Sequence, residues 1–197
     1  MGVRFAGWGV GLGHRVVTNN DLSQTLDTSD EWISERTGIR ARRIGGSASE
    51  LGTTAARAAL ADAGLVGADI DHLVLSTTTG DRVIPGTAPL IAGELGIRGG
   101  AMDINAACSG FMYGLAVARG LIATGANRVL LVGAENLSRW TDWDDRSTAV
   151  LFGDGAGAVV LEASDDDAVK SLNLGADGSL ADLIYAEHGG FIHMDGR

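Results

Sequence analysis

Residues 109–124 constrain this chain most, because read as a helix they have almost no polar face. Phe111, Met112, Leu115, Val117, Ala118, Leu121 and Ile122 are interleaved with Gly114, Ala116 and Gly120, and only Tyr113 and Arg119 interrupt the apolar cylinder. A helix that is apolar all round must be covered on all sides. One sheet covers one face, so the other face needs a second layer. No remaining segment of the 197 residues has the strands for a second sheet of that size. The chain is therefore expected to leave part of this helix uncovered and to be incomplete by itself.

The other segments supply the first layer. Residues 2–10 read as a strand. Thr28-Ser29-Asp30-Glu31 has the form of a capping box, with a hydroxyl at the N-cap and a carboxylate three residues on. It opens a short helix that stops at Gly38. Ser47-Ala48-Ser49-Glu50 repeats the pattern before an alanine-rich helix ending near Gly64. A strand is predicted at 72–78, a helix at 85–95 closed by Gly96, and a strand at 101–105. Strands at 128–132 and 156–163 follow, the first a continuous apolar run of the kind buried on both faces. The order βαβαβαββ predicts an α/β domain with a mostly parallel sheet. It occupies residues 1–164, and residues 165–197 form a weakly patterned connecting segment.

Composition removes several functional classes. An apolar fraction of 45% and a charged fraction of 20% are those of an ordinary globular protein. A net charge of −10 argues against nucleic-acid binding, which needs a basic surface. No apolar run has the length of a membrane span or the form of a signal peptide. One cysteine excludes an internal disulfide and fits a reducing, cytoplasmic setting. Arg36, Arg40, Arg42 and Arg43 form a basic island in this acidic chain, either a solvated cluster or a pocket for an anionic ligand.

The single cysteine, Cys108, stands where the strand at 101–105 passes into the apolar helix. Free N–H groups and the positive end of the dipole at a helix entrance favour thiolate over thiol. Free cysteine is also among the most buried residue types, so the residues alone leave a nucleophile and a packed core residue both open. His14, His72, His188 and His193 do not fall at the carboxyl ends of neighbouring strands, where an α/β site collects its groups, and read as surface or structural residues. Gly153-Asp154-Gly155-Ala156-Gly157 precedes a strand without opening a helix, which is the wrong context for dinucleotide binding. Asp142, Asp144, Asp145 and Asp165 to Asp167 lack a metal-site spacing, and there is no Cys/His array for zinc. Trp32 and Arg36 lie one turn apart on one helix face, an aromatic plane beside a guanidinium. That pairing suits either a core contact or the stacking of a base.

Three separated blocks resemble β-ketoacyl-acyl-carrier-protein synthase III, the condensing enzyme that starts bacterial fatty acid synthesis. They are Asp27-Thr28-Ser29-Asp30-Glu31-Trp32-Ile33 with Arg36-Thr37-Gly38-Ile39-Arg40, then Asp103-Ile104-Asn105-Ala106-Ala107-Cys108-Ser109-Gly110-Phe111, then Asp145-Arg146-Ser147-Thr148 with Phe152-Gly153-Asp154-Gly155-Ala156-Gly157-Ala158. The resemblance implies a thiolase-like fold of two similar α/β halves in an αβαβα layering, of which this chain matches the first. It implies that Cys108 is the nucleophile and that acyl-CoA is a substrate, with no separate cofactor and no metal. Thr28, Trp32, Arg36 and Arg146 match positions that hold CoA. Phe152 matches a residue lining the acyl channel, and Ile84 is the candidate for a residue that closes the acyl pocket across a homodimer. Malonyl-acyl carrier protein is the implied second substrate. The family's catalytic His and Asn belong to the second half, and His188 and His193 do not substitute for them. The resemblance leaves room for a related CoA-dependent condensing enzyme of secondary metabolism. A non-catalytic, dimerising half-domain is the reading from another class.

Overall fold

A computed structural model describes residues 2–187 and 189–194; Met1, His188 and residues 195–197 lie outside the described residues. The strands are β1 (Gly2–Leu12), β2 (Arg15–Thr18), β3 (Ala41–Ile44), β4 (His72–Ser76), β5 (Gly100–Ile104), β6 (Arg128–Asn136), β7 (Asp154–Ser164), β8 (Ile184–Ala186) and β9 (Ile192–Met194). The helices are α1 (Asn19–Leu22), α2 (Asp30–Thr37), α3 (Ala48–Ala63), α4 (Ala88–Leu95), α5 (Gly110–Ala123) and α6 (Arg146–Ala149). Two compact units share these elements. One comprises Met1–Leu12, Ser47–Glu135 and Gly155–Leu174, the other Gly13–Gly46, Asn136–Asp154 and Gly175–Arg197.

The first unit is a five-stranded sheet in the order β1-β7-β6-β4-β5, with α3 and α4 on one face and α5 on the other. Its sequence order, β1-α3-β4-α4-β5-α5-β6-β7, is the expected βαβαβαββ. The sheet is mixed where the sequence predicts a mostly parallel one. β4 runs parallel to β5 and β6, neighbours reached through helical crossovers, while β1 pairs antiparallel with β7.

The alternating glycines of β1 explain how closely α3 approaches. A Cβ at Gly7 would lie 2.5 Å from the Ala59 carbonyl oxygen, one at Gly9 2.3 Å from that of Ala55, and one at Gly11 2.2 Å from that of Leu51. Backbone therefore packs on backbone, and the alanines of α3 are the complementary small residues. Strand alternation sends Trp8, Val10 and Leu12 to the opposite face, where they are exposed. α5 buries a single stripe of Gly114, Leu115, Ala118 and Ile122 on the sheet and leaves Met112 46% exposed. The partly uncovered apolar helix expected from the sequence is what this unit contains.

Helix boundaries differ in two places. The N-cap of α2 is Ser29 and not Thr28: Ser29 is extended, and its hydroxyl accepts from the Trp32 N–H at 3.1 Å. α4 begins at Ala88 rather than at residue 85, because the Asp103 carboxylate on β5 accepts the N–H groups of Thr87 (2.7 Å) and Ala88 (2.6 Å). Ser47 caps α3 as expected, accepting from Glu50 N–H at 3.2 Å. Along the sheet, Glu162 pairs with Arg4 and Arg128, and the hydrogen bond from Arg128 holds its carboxyl below the usual range.

The second unit holds the antiparallel β2–β3 pair, α1, α2, α6 and the β8–β9 pair. Its core is Val17, Leu22, Leu26, Ile33, Ala149 and Val150. Arg42 corrects the expected basic island. Alternation along β3 turns it inward, where it donates to the carbonyls of Val17 (3.2 Å) and Val150 (3.1 Å) and to Asn19 Oδ1 (2.8 Å). Burial lowers its pKa. Arg36, Arg40 and Arg43 remain exposed.

Candidate active site

In the first unit, β5 ends at Ile104 and a single 3-10 turn, Ala107–Ser109, leads into α5. Cys108 sits in the middle of this turn and is exposed. The chain reverses sharply there: Ala107 has φ 45°, the only positive φ outside glycine among the described residues. Such backbone costs about 1–3 kcal/mol and needs support from its surroundings. Asn105 Oδ1 accepts from Ala107 N–H at 3.2 Å, and the Ser109 hydroxyl donates to the Ala106 carbonyl at 2.8 Å. Gly110 fixes the helix start from below. A Cβ there would stand 2.1 Å from the hydroxyl oxygen of Ser76, a buried residue at the end of β4. The turn thus offers a thiol to solvent at the carboxyl end of a strand and the entrance of a 14-residue helix.

In the second unit, α2 carries Trp32 and Arg36 on one face, with the Arg36 guanidinium carbon 4.4 Å from the indole centroid. Arg146 reaches the same ring from α6 at 4.8 Å and donates to the Asp27 carbonyl at 2.8 Å. α6 is held by its N-cap, Asp145, which accepts from the Ser147 N–H at 2.8 Å. The Ser147 hydroxyl bond keeps the Asp145 carboxyl below its ordinary range. The Thr28 hydroxyl is buried without a partner, since the cap role belongs to Ser29. Phe152 is half-buried in the segment between α6 and β7.

Trp32, Arg36 and Arg146, three of the residues singled out from the sequence, therefore meet around one indole. Cys108 and Ile84 belong to the first unit, and Ile84 is 85% exposed. An open cleft of about 250 Å³ in the second unit is lined by Arg15, Val17, Asp21, Leu22, Ile44 and Trp143, none of them expected at the site. His72 is structural: its Nδ1 accepts from Gly100 N–H at 3.2 Å. His193 lies beside Tyr185, the ring centroids 5.2 Å apart and the planes tilted by 31°. The glycine run opens β7, and its Asp154 accepts from Gly45 N–H (2.6 Å) and Ser138 N–H (2.9 Å). Among the described residues no group of three acidic, His or Cys side chains is placed to hold a metal, and no helix is long and apolar enough to cross a membrane.

Residues 102–178, which contain Cys108 and Arg146, match the family described as 3-oxoacyl-[acyl-carrier-protein (ACP)] synthase III. The beta-ketoacyl-[acyl-carrier-protein] synthase III of Xylella fastidiosa (strain Temecula1) is 51% identical over 187 residues, 92% of this chain and 58% of its own length. The crystal structure of 3-oxoacyl-[acyl-carrier-protein] synthase III from Aquifex aeolicus VF5 superposes with a TM-score of 0.93 at 46% identity, over 99% of this chain and 65% of that one. A 2.1 Å crystal structure of another 3-oxoacyl-(acyl-carrier-protein) synthase III is 30% identical, with a TM-score of 0.88, over 100% of this chain and 68% of that one. The chain belongs to the 3-oxoacyl-acyl-carrier-protein synthase III family. Its fold is the thiolase-like one of that family. It spans about three fifths of the length of the Xylella synthase III. The Glu135 carboxylate, to which Thr78 and Thr79 are tied, has no signature in the sequence, because no local pattern links residues so far apart.

Proposed function

We propose that the chain supplies the nucleophilic part of a β-ketoacyl-acyl-carrier-protein synthase III that starts fatty acid synthesis in the cytoplasm. The observation that carries this reading is the exposed Cys108 on a strained turn at the entrance of α5, in a chain of this family. The Cys108 thiolate attacks the thioester carbonyl of an acyl-CoA. The carbon–sulfur bond to CoA breaks, CoA leaves as a thiolate that takes up a proton, and an acyl-enzyme remains. Malonyl-acyl carrier protein then loses CO2, its carbanion attacks the acyl carbon, and the Cys108 thiolate is released with the 3-oxoacyl product. The His and Asn that assist this second stage in the family belong to the half of the fold that this chain does not match. No cofactor is needed, because thioester exchange is nearly isoenergetic and supplies its own leaving group.

In this reading the adenine of CoA enters between Trp32 and Arg146, displacing the Arg146 guanidinium from the indole, while Thr28 and Arg36 take its base and phosphates. Phe152 lines the acyl channel. Ile84 closes the acyl pocket across a homodimer, and the uncovered face of α5 packs against further protein. The test compares an acyl-CoA with an acyl thioester that lacks the nucleotide. Trp32→Ala and Arg146→Ala are each expected to weaken acyl-CoA binding by about 1–2 kcal/mol, roughly five- to thirtyfold, with little change for the short thioester. Equal losses with both compounds would mean that the two residues support the fold and do not hold the nucleotide.

A further inference from the structure

The loop between β4 and α4 is tied down by carboxylates from other parts of the first unit. Glu135, near the end of β6, accepts from Thr78 N–H (2.8 Å), the Thr78 hydroxyl (2.9 Å), Thr79 N–H (3.1 Å) and the Thr79 hydroxyl (2.5 Å). Asp81, within the loop, accepts from Ser49 N–H at 3.1 Å and from the Ser49 hydroxyl, and its own N–H donates to the Thr87 hydroxyl at 2.9 Å. At the far foot, Asp103 accepts from Thr87 and Ala88 N–H groups. Between these anchors Val83 and Ile84 stand 76% and 85% exposed. A bare apolar tip on a base held at both feet is preset in position, so ordering it on contact costs little.

We propose that Glu135 is a positioning residue that sets which acyl chains Cys108 accepts, by fixing the foot of the loop that carries Ile84. This rests on the reading above, in which Ile84 closes the acyl pocket. Glu135 is the anchor to single out because Asp103 also caps α4, whereas these four bonds of Glu135 all serve the loop. Hydrogen bonds to an ionised carboxylate are about twice as strong as neutral ones. A glutamine in its place would present an NH2 donor to one of the loop's donors, so it cannot satisfy all four. With that foot loose, Ile84 shifts, and a pocket wall displaced by about one methylene changes discrimination roughly 10-fold or more.

The experiment measures rates of Cys108 acylation by acetyl-CoA and octanoyl-CoA in the full chain and in Glu135→Gln. Hydrogen exchange of residues 77–87 and alkylation of Cys108 by iodoacetamide are followed in parallel. The ratio of the two acylation rates is expected to change by about tenfold, with faster exchange in the loop and unchanged alkylation. Glu135→Asp, which keeps the carboxylate, should restore the ratio towards that of the unsubstituted chain. Thr78→Val, which deletes one donor from a half-buried position, should move the ratio the same way by a smaller factor and serves if Glu135→Gln does not fold. An unchanged ratio overturns the proposal, as does an equal fall in both acylations and in alkylation. Loop exchange that does not respond to the substitution overturns the anchoring by itself. Failure of the unsubstituted chain to be acylated by either CoA ester would instead sink the synthase reading, while loop exchange still decides whether Glu135 holds the loop.

Discussion

Gly9→Val is expected to destabilise the first unit by at least about 3 kcal/mol, near the upper end of the usual cost of overpacking. The Cβ would sit 2.3 Å from the Ala55 carbonyl oxygen and 2.5 Å from the Ala59 nitrogen, both backbone atoms of α3. A side chain could rotate away; a helix backbone cannot. Relief requires α3 to withdraw from β1, which opens the core of Leu51, Ala55, Ala59, Leu130 and Val160. The neighbouring position is the control. Val10 faces the opposite, exposed side, so Val10→Ala should change stability by no more than about 0.5 kcal/mol. Urea midpoints of the two variants separate these cases, and equal midpoints would contradict the packing of α3 on the β1 glycines.

Gly110→Ala is expected to slow every reaction of Cys108 by about a hundredfold, the scale of a displacement near 1 Å at a reacting centre. The new methyl would meet the Ser76 hydroxyl oxygen at 2.1 Å, and Ser76 is buried at the end of β4, where that hydroxyl has little room to turn aside. Lifting the first turn of α5 carries the 3-10 turn and Cys108 with it, because Gly110 follows that turn directly. A second substitution distinguishes displacement from general damage. Ser76→Ala deletes the clashing oxygen and leaves its Cβ at 3.3 Å, a tight contact that a small shift relieves. Iodoacetamide alkylation of Gly110→Ala/Ser76→Ala should therefore recover most of the lost rate, a coupling expected of residues in direct contact. No recovery would mean that Ser76 does not set the height of the helix entrance.

What the sequence discloses and what it hides follow from the range of the forces involved. The strand and helix order of the first unit is written in local periodicity, and β1, β4, β5, β6 and β7 fall where the pattern puts them. Caps are also local: Ser47 and the glycines after α2 and α3 do what their types favour. Where two hydroxyls are adjacent, local rules cannot choose, and Ser29 displaces Thr28 as the cap. The start of α4 is set by Asp103 from a neighbouring strand, which no window around residues 85–88 contains. β2 and β3 are four residues each, too short to show a period, so their pairing and the inward turn of Arg42 were not legible. At the site, the i, i+4 spacing of Trp32 and Arg36 made their contact readable. The arrival of Arg146 on the same ring was suggested only by resemblance, because it depends on a second helix.

Everything proposed for this chain depends on Cys108 accepting an acyl group from CoA. The most direct test incubates the chain with acetyl-CoA, digests it, and weighs the peptide that contains Cys108. One acetyl group is expected on that peptide for each CoA released, with neither acetylation nor CoA release in Cys108→Ser. An unmodified Cys108 peptide in a folded chain whose thiol still reacts with iodoacetamide, or CoA released equally by Cys108→Ser, would contradict it.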